Sequence, residues 1–157
     1  MSFLRYVMLL ALIVWLGGLI FFAFVLAPTA FSVLPTRHLA GNVVGKTLAI
    51  LHWMGIFSGL IFLVSSCSYA YVSRATPHFG SARNILVVIM VLLTLISQFG
   101  IIPRMDVLRA SIGEIDSVPS DNPARIQFDA LHVWSTRVEG GVLLLGLVVV
   151  YLMASSF

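Results

Sequence analysis

The chain has 157 residues, of which 60% are hydrophobic and 10% charged, against roughly 45–50% and 25% in an average soluble domain. A water-soluble globule of this length needs more polar surface than that, and a mean hydropathy of +1.07 assigns the missing surface to lipid. The net charge is +3, yet Lys and Arg are scattered singly and form no basic stripe, which argues against nucleic acid as a partner.

Four apolar segments of spanning length follow one another. The first covers about 3–27 and ends at Pro28, with Trp15, Gly17 and Gly18 in its middle; it exceeds a secretory apolar region of roughly 7–15 residues and reads as a retained span. The second opens with a polar, helix-compatible stretch from Arg37 to Lys46 and is apolar over about 47–72. A turn over 73–82, with Pro77 and Gly80, leads to the third span, about 84–102, which the pattern stops at Pro103-Arg104. The polar region, about 104–127, carries Asp106, Glu114, Asp116 and Asp121, with Pro119 and Pro123 as breakers. An amphipathic lead-in from Pro123 to Glu139 then runs into the last span, about 133–156.

At about 1.5 Å per residue each segment crosses a hydrocarbon layer of roughly 30 Å. The expected fold is all-α: one domain over 1–157, an integral membrane four-helix bundle of up-down-up-down order with both termini on one side, alone or as a homo-oligomer. Arg5, Arg74 and Arg83 mark the side of the termini, and Arg37, Lys46, Arg104, Arg109 and Arg125 the other. The acids of the long loop offset that excess, so the charge pattern leaves both orientations open. The single cysteine, Cys67, reads as a small apolar helix residue.

Ionisable groups within a span cost a few kcal/mol each, so every one asks for a partner or a role. His52 and Gln98 fall at similar depths in the second and third spans. On the fourth, Asp129, His132, Thr136 and Glu139 share one helical face. His52, Gln98, His132 and Glu139 are therefore expected to form one polar layer near the long loop, with Trp15 on the first span as a wall. Gly41, Gly45, Gly55 and Gly59, together with Gly140, are expected to let neighbouring helices approach closely.

Two imidazoles with carboxylates suit a transition metal ion, with His52, His132, Glu139 and Asp129 as ligands and Gln98, Arg104, Lys46, Arg137 and Thr136 around the pocket. The same histidines could instead hold haem b axially. Each residue also has an ordinary structural alternative. His52 beside Trp53 could anchor the helix at the interface, Asp129 and His132 could be a surface pair, and Glu139 could be salt-bridged to Arg137, Arg104 or Lys46. His38 and His78 read as interface or loop residues. No P-loop, dinucleotide glycine fingerprint, nucleophile elbow or His-Glu-x-x-His occurs, and no catalytic residue is assigned.

The series Trp15-Leu-Gly-Gly, Ala27-Pro28, Ala40-Gly-Asn-Val-Val-Gly45, Leu51-His-Trp-Met-Gly55, Ser97-Gln-Phe-Gly-Ile-Ile-Pro-Arg-Met105 with Leu108-Arg109, and Phe128-Asp-Ala-Leu-His132 resembles the bacterial family labelled domain of unknown function 4149, related to the eukaryotic transmembrane protein 205 group. A Trp-Leu-Gly-Gly start is also seen in copper-resistance D-type membrane proteins. The resemblance implies a compact four-span protein of the bacterial inner membrane with a recurring polar constellation, onto which His52, Gln98, Pro103, Arg104 and His132 map. The eukaryotic relatives are linked to tolerance of platinum drugs, which implies metal or small-molecule handling. The expected function is binding of a metal ion or small polar ligand in an intramembrane pocket, for transport, sensing or resistance. The alternatives are haem-b electron transfer and a structural or partner-assembly role.

Overall fold

The computed structural model describes residues 2–73, 81–114 and 117–155. The expectations for Arg74, Pro77, His78, Gly80 and Asp116 fall outside them. Among the described residues the chain is helical without strands, and four helices are long and apolar enough to cross a membrane: α1 (Ser2–Val33), α2 (Arg37–Val72), α3 (Ala82–Ile112) and α4 (Pro123–Ala154). Each packs against its neighbour in sequence, and α4 closes the ring against α1. The chain is a multi-pass membrane protein, with α2 its most enclosed helix.

Two helices run past prolines that the sequence pattern takes as their ends. Proline has no N–H, and its ring collides with the carbonyl four residues earlier in a regular helix. In α1 the turn Phe22–Leu26 widens, so that the Ala27 N–H donates to the carbonyl of Phe22, five residues back, immediately before Pro28. In α3 the turn Ser97–Ile101 does the same, with the Ile102 N–H donating to Ser97 just ahead of Pro103. The wider turn re-phases the helix around the proline, and α3 continues for eleven residues, Ile102–Ile112. Arg104, Asp106 and Arg109 therefore stand on a helix, where the sequence places them in a loop.

The core is a stripe on each helix. Met8, Leu12, Trp15, Leu16 and Leu19 on α1 meet Leu48, Leu51 and Phe62 on α2, Val87, Met90 and Val91 on α3, and Val142, Val149 and Met153 on α4. Helices in lipid gain little from excluding water, so close packing over small residues holds them together. The Trp15 ring lies on Gly55 and Gly59, where an added Cβ would overlap the indole, and Leu16 fills the space over Gly146. Gly140, expected to serve such packing on α4, has nothing within 4 Å of an added Cβ; Gly146 takes that part because it faces the core. Trp15 is thus a core residue.

At the end of the bundle bearing the long loop, the Thr36 hydroxyl accepts from the Leu39 N–H at 3.2 Å to cap α2, and Asn122 caps α4 through the Ala124 N–H at 2.9 Å. His38 Nδ1 donates to the carbonyl of Gly113 at 2.8 Å, latching the start of α2 to the end of α3. Gly113 stops α3 with φ of +69°, a conformation that suits glycine. At the other end, buried Ser66 donates to Asn84 at 2.9 Å between α2 and α3.

The glycine contacts give a direct test. Gly55→Ala should lower the thermal unfolding midpoint in detergent, as overpacking against a buried ring costs about 1–3 kcal/mol. Gly17→Ala meets nothing within 4 Å and should leave the midpoint unchanged or slightly raised.

Candidate functional site

His52 is 1% exposed on α2 and bridges two other helices. Its Nδ1 lies 2.9 Å from Oε1 of Gln98, in the wide turn of α3, and its Nε2 lies 2.6 Å from Oε1 of Glu139 on α4. An amide oxygen can only accept, so Nδ1 carries a proton and donates it to Gln98. Along the Nε2–Oε1 contact a second proton sits between the imidazole and the carboxyl group. That shared hydrogen bond gives the carboxyl group the partner that a low-dielectric interior demands. Glu139, with a side chain 14% exposed, turns its remaining surface towards a cavity.

That cavity, about 550 Å³, occupies the long-loop end of the bundle. Its apolar wall comes mainly from α1, including Leu19, Phe22, Phe24 and Phe31, with Leu48 of α2 and Leu143 of α4. Asp129, His132, Ser135, Thr136 and Glu139 line it from α4, and Asp106 and Arg109 from α3. The α4 face expected from the sequence is therefore a real wall. The two proline-associated wide turns frame the cavity: one lends Phe22, Ala23 and Phe24 to its lining, and the other holds Gln98 behind it.

Three of the four residues expected in one layer meet; His132 does not join them. It lies seven positions before Glu139, about 10 Å along a helix axis, and its ring stacks on Phe128 with centroids 6.5 Å apart. Asp129 and Thr136 line the cavity but are exposed. None of the basic partners suggested for Glu139 reaches it. Lys46 and Arg104 are exposed, as is Arg137, which covers the Trp134 ring at 5.7 Å. Among the described residues, no group of three or more His, Cys, Asp or Glu is arranged to hold a metal ion.

Arg109 is the site residue that sequence reasoning missed, reading it as a topology marker and, with Leu108, as part of the family resemblance. It is 7% exposed. Its Nη1 donates to Asp106 at 2.9 Å, and its guanidinium carbon sits 5.4 Å from the centre of the Phe128 ring. Gly41 and Gly45, expected to admit a neighbouring helix, instead make a bed for this side chain: a Cβ on Gly45 would come within 3.0 Å of Nη1. The signal was present in the Asp106–Arg109 spacing, which matters only once the segment is known to be helical.

A double-mutant cycle checks the polar contact. His52→Ala with Glu139→Gln should return a coupling energy of about 0.5–3 kcal/mol in unfolding measurements. The same cycle with His132→Ala in place of His52→Ala should return a value near zero.

No curated protein and no solved structure matches the chain. A family model described as a domain of unknown function, DUF4149, matches residues 10–113. The match takes in His52, Gln98, Arg109 and the two glycines beneath it, and stops before α4. Covering most of the chain and three of its four helices, it shows that this protein belongs to the DUF4149 family.

Proposed function

We propose that this membrane bundle binds a small organic molecule in the cavity at its long-loop end, for a role in transport, sensing or resistance. The molecule's apolar part lies along α1, and its polar groups face α3 and α4. One observation carries the reading: the Glu139 carboxyl group, held in place by buried His52, faces a cavity of about 550 Å³ whose opposite wall is apolar. That volume is within the roughly 300–1,000 Å³ of small-molecule sites, and such sites pair apolar walls with a few fixed polar groups.

The donor set favours an organic ligand over a metal ion or haem b. Both ring nitrogens of His52 are already engaged by Gln98 and Glu139. Axial ligation of haem by His52 and His132 would forfeit one of those bonds and require two side chains about two helical turns apart in depth to converge on one iron.

Native mass spectrometry of the protein purified in lipid nanodiscs tests the proposal, with Gly140→Trp as the blocking variant. Gly140 lines the cavity and has nothing within 4 Å of an added Cβ, so a side chain there is accommodated at its base and the indole is expected to take up cavity space. A stoichiometric organic adduct on the wild type, lost in Gly140→Trp and weakened in Glu139→Gln, is the expected result. Retention of the adduct by Gly140→Trp would overturn the assignment. So would a Soret band or a stoichiometric metal that disappears in His52→Ala, or a wild type that carries nothing and leaves the polar contacts as internal bracing.

A further inference from the structure

Arg109 is under-satisfied for a buried cation. A guanidinium has five N–H donors in a planar fork. Here, among the described residues, the one hydrogen bond it makes is from Nη1 to Asp106, whose side chain is 58% exposed. Nε is buried with no partner. The group is nonetheless packed against both the Phe128 ring and the bed of Gly41 and Gly45, on the lining of the cavity. A buried charge normally requires a counter-charge and hydrogen bonds, and the exposed Asp106 carboxylate supplies one hydrogen bond and a solvent-screened counter-charge. A fixed fork with spare donors beside an apolar chamber is what recognition of a planar or tetrahedral oxyanion needs.

We infer that Arg109 forms a subsite for the anionic group of an amphipathic organic molecule, a phosphate monoester or carboxylate whose apolar body lies along α1. This rests on the cavity being a ligand site. Arg37 is a second cation on the lining. Of the carboxyl groups there, Glu139 is hydrogen-bonded to His52, and Asp106 and Asp129 are exposed, which weakens their repulsion of an anion. His132 also lines the cavity, and its imidazole offers a further donor. Asp106 then occupies part of the fork until the ligand arrives.

The test uses radiolabelled dodecyl phosphate and the full-length protein in nanodiscs of zwitterionic lipid, read as saturable binding. Wild type should bind, and Arg109→Gln should bind at least about tenfold more weakly, the scale of a lost charge-assisted contact. Gly45→Val, which lifts the guanidinium from its bed without changing the charge, should also weaken binding. Asp106→Asn should tighten it severalfold, a gain that misfolding cannot produce. Competition by inorganic phosphate would point to a water-borne amphiphile, and occupancy in nanodiscs containing phosphatidic acid, itself a phosphate monoester, to a lipid headgroup; either fits the subsite. Binding unaffected by Arg109→Gln and Asp106→Asn would overturn it. If dodecyltrimethylammonium binds and Gly140→Trp blocks it while dodecyl phosphate does not bind, the cavity reading stands and the anion subsite falls. If neither amphiphile binds in a Gly140→Trp-sensitive way, both fall.

Discussion

A carboxyl group placed among apolar helices must find a hydrogen-bonding partner, and in this protein one histidine supplies it. Glu139 stands at the start of the wholly apolar part of α4, where an unpaired charge would be costly. His52 answers it from α2 and is itself fixed by Gln98 from α3. Three helices are thereby locked in rotation and depth by two hydrogen bonds. Direction is their main contribution, because van der Waals packing between helices in lipid tolerates sliding more readily than a polar pair does.

The wide turns make that alignment possible. Gln98 lies within the turn that widens ahead of Pro103, and the matching turn of α1 sits on the cavity beside Pro28. An extra residue in a turn shifts the phase of everything beyond it. The upper part of α3 can therefore bury Val87, Met90 and Val91 in the common core, while its lower part directs Met105 and Arg109 inward at the other end. Such turns recur at functional sites, and here both occur at the level where tight packing gives way to an open chamber.

The glycines divide the molecule in the same manner. Gly55, Gly59 and Gly146 bring helices together around Trp15 and Leu16, whereas Gly41 and Gly45 make room for a charged side chain, and Gly140 faces empty space. Identical residue types at identical four-residue spacing thus serve adhesion in one half of α2 and a polar site in the other. The tight half is a scaffold; the open half holds the cavity.

Fold class was legible in the amino-acid sequence because lipid is a strict solvent: four apolar runs of spanning length admit little besides four helices. The shared face of Asp129, His132, Thr136 and Glu139 was legible too, since helical periodicity is local. Pro28 and Pro103 misled, because a turn that widens before a proline leaves no mark in hydropathy. Tertiary structure alone decided which polar residues meet. His52 finds Gln98 46 positions away and Glu139 87 positions away, while His132, on the same face as Glu139, is left two turns below. It also decided that Arg109 rests on glycines far back in the chain. These outcomes depend on the relative rotation and depth of packed helices, which no spacing within a single helix encodes.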